Sequence, residues 1–327
     1  MKNKILNKAK KIKEIVSRNR KKLEITFLVF LIAIAISIFS FSPLRKNISG
    51  FILKKACLKS AQNIPDDSLG EEYIEDNSVK KMPDLVIGAM ADLHAESRTY
   101  EMISTFTKKV QERLEEEGKA DFIIELGDFI ENRNKYGKGM KKQPREEGLA
   151  EWKKADSSFL GYTPRYHVVG NHEMFSFFKN DYEELIGLNS YYSFLVKGYQ
   201  IIVLDSNYNL FSGRDVELNN EEEGAYAGAI PKEEMQWLEE RLKEEDKNII
   251  FVHHPLYSVK KSVEIENLLK KYNKKIVLIA SGHKHKTRSL TFAGIDYIDM
   301  PSLELQKQYA IISIKGKKSE VEFLNLQ

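Results

Sequence analysis

Residues 85–94 read LVIGAMADLH, and the fold follows from this stretch. Leu85–Met90 is a continuous apolar run, which suits a strand covered on both faces. The chain then turns polar at Asp92-Leu93-His94. The same design recurs at Phe122–Leu126, Tyr166–Val169, Ile201–Leu204, Ile249–Val252 and Ile276–Ala280, where short apolar runs end in polar clusters. Helical segments are predicted over about residues 98–117, from Pro231 onward and over 262–272. Pro231 suits a first helical turn, and Glu233 and Glu234 complement the positive end of the dipole. After residue 288 the pattern is β only, with a hairpin turn at Gly316-Lys317. The body therefore reads as α/β with extra strands, and ligand sites in open α/β sheets gather at the carboxyl ends of strands.

Five of the six strand ends carry metal-binding residue types. They are Asp92-Leu93-His94, Gly127-Asp128, Gly170-Asn171-His172-Glu173, His253-His254-Pro255 and Gly282-His283-Lys284-His285. The remaining end, Asp205-Ser206-Asn207, is given no role. Each piece alone is weak, since a Gly-Asp pair is usually a turn and a lone histidine is usually a hydrogen-bonded structural residue. Together they hold six of the seven histidines. Glycine precedes three of the clusters, where the chain must leave its strand sharply. The D-x-H and H-x-H spacings predict paired side chains on one side of an extended segment.

In this order the motifs D-x-H, G-D, G-N-H-E, H-x-P and G-H-x-H resemble the calcineurin-like metallophosphoesterase superfamily over about residues 84–314. The resemblance implies a four-layer αββα sandwich with a dinuclear metal centre. It implies Asp92, His94, Asp128 and His285 on one metal, and Asp128, Asn171, His253 and His283 on the other, with Asp128 bridging. His253 is taken over His254 because the family ligand stands two residues before the proline. His172 is implied as the histidine near the leaving group, with Glu173 available to orient it. Asn171, His172 and His254 are the candidate substrate contacts.

The donor set itself is imidazole, carboxylate and one amide, without thiolate. It suits Mn²⁺, Fe or Zn²⁺ and disfavours a pure Mg²⁺ or Ca²⁺ site. Two such ions lower the pKa of a bridging water and bind a phosphoryl oxygen. The expected reaction is hydrolysis of a phosphate ester or phosphoanhydride by a metal-bridging hydroxide. Monoester, nucleotide-like diester and pyrophosphate all remain open as substrates. The alternative is a non-catalytic scaffold of the same fold at a membrane, which the complete ligand set disfavours.

Several positions depart from the pattern or stay open. Purple acid phosphatases carry tyrosine where this chain has Glu131, so a tyrosinate-iron site is not expected. Glu131 either backs the site or begins the next loop. The basic stretch Asn132–Glu147 is either a lid meeting anionic substrate or a solvated loop. Arg98 and Arg288 are either phosphate clamps or surface cations. Lys284, between two ligands, is expected to point away from the metals.

Ile25–Leu44 is a run of 20 residues without charge. As a helix it is about 30 Å long, enough to cross the hydrocarbon core. Ten basic residues precede it, against Glu14 and Glu24. The positive-inside rule then leaves the N-terminus cytoplasmic and the body outside. The expected organisation is a basic cytoplasmic segment 1–24, a transmembrane signal anchor 25–44, a stalk 45–82 and a catalytic domain 83–327. A cleaved signal peptide would need a shorter charged region and a small-x-small site. Residues 1–60 hold 15 Lys and Arg against 2 acids, so the other 267 residues carry 36 against 46. Such an acidic body argues against nucleic-acid binding. The expected partners are the membrane and a phosphorylated small molecule or a lipid or envelope substrate. The single cysteine, Cys57, excludes an internal disulfide and a cysteine zinc site.

Overall fold

The structure is a computed structural model that describes residues 83–327, apart from 97–98, 115–119, 132, 135–140, 143, 163, 211–212 and 216–226. The segments expected at 1–24, 25–44 and 45–82 lie outside the described residues. Among the described residues no helix is long and apolar enough to cross a membrane.

Two mixed sheets carry the fold. In the first, β1 (Leu85–Met90), β2 (Phe122–Glu125) and β5 (Arg165–His167) run parallel. An antiparallel pair, β14 (Gln308–Lys315) and β15 (Lys318–Asn325), extends its β1 edge. In the second sheet β7 (Tyr199–Leu204), β10 (Asn248–Val252), β11 (Ile276–Ser281) and β13 (Ile295–Asp299) run parallel. Antiparallel β6 (Tyr192–Val196) and β12 (Arg288–Phe292) close its two edges. Two short hairpins, β3 (Arg133–Asn134) with β4 (Lys141–Lys142) and β8 (Tyr208–Asn209) with β9 (Arg214–Asp215), stand apart from both sheets.

The two-residue period of a strand explains the layering. Val86 and Met90 face a core shared with Ile103, Phe106 and Val110 of α1 (Tyr100–Leu114). That core also takes Trp152 of α2 (Arg145–Ser157) and Tyr182 of α3 (Lys179–Ile186). Leu85, Ile87 and Ala89 point the other way, to Ile201, Val203 and Phe251. Ile202, Leu204, Ile250 and Val252 then meet Leu238 of α4 (Lys232–Glu244) and Ile265 of α5 (Ser262–Tyr272). Helices, sheet, sheet and helices thus enclose three cores. The central strands are buried on both faces, which is why they read as unbroken apolar runs.

Some expectations are corrected. The stretch 132–147 is not all loop: it holds the β3–β4 hairpin, and α2 starts at Arg145. Pro231 caps α4 instead of entering its first turn. The β-only tail is interrupted by the four-residue α6 (Leu303–Gln306), capped by the Ser302 hydroxyl on the Leu305 N–H. The strand expected at Tyr166–Val169 ends at His167, although the Val168 N–H still reaches Glu125 O at 2.8 Å.

His167, the one histidine outside the motifs, joins the strands that carry them. It is the register partner of Glu125. Its Nδ1 is 3.4 Å from Glu125 Oε2 and its Nε2 is 3.3 Å from Asp156 Oδ1, within a box of Phe129, Trp152 and Phe159. Burial opposes charge on this ring, but the two carboxylates outweigh it and hold its pKa above the ordinary value. A raised pKa in the folded state adds stability that is complete below about pH 6.5, the unfolded value, and is lost as pH rises through the folded one. The melting-temperature gap between the wild type and His167→Gln should therefore be widest in mild acid and narrow with rising pH. A gap that widens toward alkaline pH would refute this role.

Candidate metal centre

The loops after β1, β2, β5, β10 and β11 converge at one end of the sheets. Asp92 and His94 are not extended: their φ values are 52° and 48°. Two left-handed residues flank Leu93, whose side chain enters the helix-side core while its neighbours face the site. Asp128, His283 and His285 are left-handed as well, at 54°, 68° and 51°. Five of the seven expected ligands thus occupy a backbone region that costs L-residues roughly 1–3 kcal/mol each. Hydrogen bonds hold them there. Asp92 N donates to Gly127 O at 3.0 Å, His94 N to Asp128 O at 2.9 Å, and His283 N to the Asp92 carboxylate at 3.0 Å. Gly127 allows this approach, because a Cβ there would lie 2.5 Å from His253 Nδ1.

Asp128 sits at the centre and is almost fully buried. Its Oδ2 is 3.2 Å from His253 Nε2, 3.5 Å from His94 Nε2 and 3.8 Å from His172 Nε2. Asp92 Oδ1 is 3.2 Å from His285 Nε2. Asn171 Oδ1 is 3.1 Å from His253 Nε2. Four groups could each hold an ion, with ligand atoms mutually within 4.8 Å: Asp92, His94 and His285; Asp92, Asp128 and His253; His253, His254 and His283; and His94, Asp128 and His172. The sequence-predicted ligands are thus together, and their carboxylate, imidazole and amide donors fit a pair of transition-metal ions.

The electrostatics also favour cations. Burial works against charge on His253, but the Asp128 carboxylate lifts its pKa to about 9. His94 is raised well above its ordinary value by Asp128 and Glu304, again against burial. His283 is lowered to about 3 by burial and by charge on His253. The Asp128 carboxylate is thus what favours positive charge at this centre, and His283 lies where burial and charge on His253 oppose it.

The surroundings decide how the imidazoles present themselves. Leu126 O is 2.9 Å from His253 Nδ1. A carbonyl only accepts, so Nδ1 carries the proton and Nε2 faces Asp128 as a lone pair when the ring is neutral. His172 Nδ1 is likewise 2.8 Å from Glu131 O, with Glu131 Oε2 at 3.5 Å. Glu131 therefore backs the site and orients His172. Glu173 does something else: its carboxylate accepts N–H bonds from Asp128, Phe129, Ile130 and Gly170 at 2.8–3.2 Å. It ties the Asp128 loop to the Asn171 loop.

Sequence reasoning missed α6. Glu304 reaches His94 Nδ1 at 3.4 Å, and Ser302 Oγ donates to Asp92 O at 2.7 Å. Their only signal was a serine three residues before a helical N–H, far along the chain from either partner. Arg288 is held by Asp299, 2.9 Å from its Nε, and by Tyr257, so it is no free phosphate clamp. Lys284 is exposed, and Arg98 lies outside the described residues.

Among solved structures the chain is similar to GAP50, the anchor in the inner membrane complex of Plasmodium. The identity is 14% and the TM-score 0.51, over 74% of this chain and 85% of that one. It is also similar to the sulfate thiohydrolase SoxB of Thermus thermophilus, at 13% identity and a TM-score of 0.46, over 81% of this chain and 58% of that one. A third is the 5'-nucleotidase of Candida albicans, at 13% identity and a TM-score of 0.48, over 75% and 52%. At 14% identity the likeness to GAP50 shows the fold alone. No curated protein matches the chain. The family model for calcineurin-like phosphoesterase matches residues 85–287, which is more than half of the chain, and the chain belongs to that family.

Proposed function

We propose that this protein is a dinuclear-metal hydrolase of a phosphate ester or phosphoanhydride, tethered by residues 25–44 with its catalytic domain outside the membrane. The observation that carries the catalytic reading is the convergence of six metal-binding side chains and His172 around Asp128. Asp92, His94, Asp128 and His285 would hold one ion, and Asp128, Asn171, His253 and His283 the other. Mn²⁺, Fe and Zn²⁺ suit these donors. Such ions, when bound, supply Lewis acidity toward a phosphoryl oxygen and a water of lowered pKa.

The protein's own groups do the rest. Leu126 O points the His253 lone pair inward. The His172 main-chain N–H is fixed by Asp128 Oδ1 at 2.8 Å, and its Nδ1 proton by Glu131 O. Nε2 of His172 is thereby left to carry the second proton, which it gives to the leaving oxygen as general acid. Glu131 Oε2 stabilises the imidazolium before transfer. Glu131→Gln should lower kcat by roughly 10–100-fold, with metal content and KM little changed. An unchanged kcat would remove Glu131 from the mechanism.

The anchored position rests on the uncharged run 25–44 and the basic residues before it. It favours phosphorylated small molecules, lipid head groups or envelope polymers outside the cell as substrates, and the acidic body disfavours nucleic acid. The test is the full-length protein with Mn²⁺ on bis(p-nitrophenyl) phosphate, p-nitrophenyl phosphate and ADP-ribose, with Asp128→Asn as the blank. Turnover absent from the blank supports the hydrolase and separates diester, monoester and pyrophosphate chemistry. Absence of both turnover and bound metal would favour the scaffold reading.

A further inference from the structure

His254 and Ser206 are both fully buried beside the centre, and the reaction as described uses neither. The His254 ring packs against those of His253 and His283, with centroids 5.0 and 4.4 Å away. Its Nδ1 is 2.8 Å from Ser206 Oγ, while its Nε2 is buried without a hydrogen-bond partner. Ser206 Oγ also accepts the His254 main-chain N–H at 3.1 Å. Among the described residues His254 Nδ1 is then the acceptor within reach of the Ser206 hydroxyl proton. A hydroxyl that donates to Nδ1 leaves the proton of the neutral imidazole on Nε2.

The pair is held in place from a third direction. Ala229 N donates to Ser206 O at 3.0 Å and closes residues 227–229 over it. A Cβ on Gly228 would lie 2.6 Å from His254 Cγ. Three elements thus present a buried N–H that has no acceptor among the described residues. Native structures seldom leave such a donor unpaired without a use for it. It sits where nitrogens of His253, His254 and His283 come within 4.8 Å of one another.

We propose that His254 is a neutral Nε2–H donor to a phosphoryl oxygen on the His253–His283 side, with Ser206 as the positioning residue that sets its tautomer. This rests on the hydrolase reading above. The rival role, direct metal ligation through Nε2, needs the opposite tautomer and strands the Ser206 proton. A neutral donor serves an oxyanion without competing with the metal ions for their ligands.

The test uses the full-length protein. The tautomer is read first from ¹⁵N spectra of histidine-labelled, metal-free protein: His254 should show a protonated Nε2, and a protonated Nδ1 would overturn the proposal. Manganese content and inorganic phosphate binding are then measured on wild type, His254→Leu, His254→Gln and Ser206→Ala. His254→Leu should keep two metal ions per chain and bind phosphate roughly 10–100-fold more weakly, the range for a hydrogen bond to a charged group. His254→Gln, which retains an N–H, should recover part of that loss. Ser206→Ala should alter the ¹⁵N signature and weaken phosphate, and Ser206→Thr should restore both. Loss of one metal ion in both His254 variants would make His254 a ligand and overturn the proposal, as would unchanged phosphate affinity in folded His254→Leu. A wild type that binds neither metal nor phosphate would fail the hydrolase reading itself, and the donor role with it.

Discussion

Asp128→Asn is expected to cut turnover on the order of 10³-fold or more, the scale on which removal of a central charge-stabilising group acts. The substitution keeps the shape and removes the negative charge. That charge is shared: one oxygen faces nitrogens of His94, His172 and His253, brought from three separate strand ends. The other accepts the His172 main-chain N–H. Burial opposes ionisation of Asp128, yet the His253 and His172 charges outweigh it and hold its carboxyl well below the usual range. An asparagine either turns its NH₂ toward the imidazoles or gives up the oxygen that holds His172. Both arrangements lose the anion common to the two proposed ions. Metal analysis should therefore show reduced occupancy alongside the lost turnover, with the wild-type circular dichroism retained. Near-normal turnover with two ions bound would sink the assignment of Asp128 as the bridge.

Much of this site was legible because its parts are local. A buried parallel strand reads as an apolar run, and the polar residues at its carboxyl end read as the site. The motif order then supplied the ligand set. The backbone at the ligands was not legible, since left-handed φ at Asp92 and His283 is held by hydrogen bonds to distant loops. Glu131 stood next to the bridging motif but had two equal readings until His172 Nδ1 was seen beside it. Glu173 was adjacent to His172 in sequence, and adjacency misled: its carboxylate is turned toward four main-chain N–H groups. Ser206 and Glu304 act on residues 48 and 210 positions away, so no spacing rule could have assigned them. α2 escaped notice because it buries little, namely Gly148, Trp152 and Ala155.

Gly170→Ala should produce the largest loss of stability of any single-methyl change at the site. A Cβ at this position would lie 2.1 Å from Asp128 N, 2.3 Å from Asp128 Oδ1 and 2.8 Å from Glu173 Oε2. The first of these is main chain, so no rotamer change can relieve the clash. The two loops must separate, and the Glu173 carboxylate that joins them then loses its N–H partners. Overpacking typically costs 1–3 kcal/mol, and a main-chain clash on a buried carboxylate belongs at about 3 kcal/mol or beyond. For a domain of this size that is a fall of roughly 6–12 °C in melting temperature. Gly161→Ala separates steric from conformational cost: Gly161 has φ 71° with no atom within 4 Å of the added Cβ. Its expected penalty is only that of left-handed backbone, about 1–2 kcal/mol. Gly170 carries no such φ, so its cost is the collision itself. Thermal melts of both variants with and without Mn²⁺ decide the matter. Gly170→Ala should melt lowest and gain least from metal, because the same displacement moves Asp128. Equal melting of the two variants would mean that the loops yield more easily than their packing indicates.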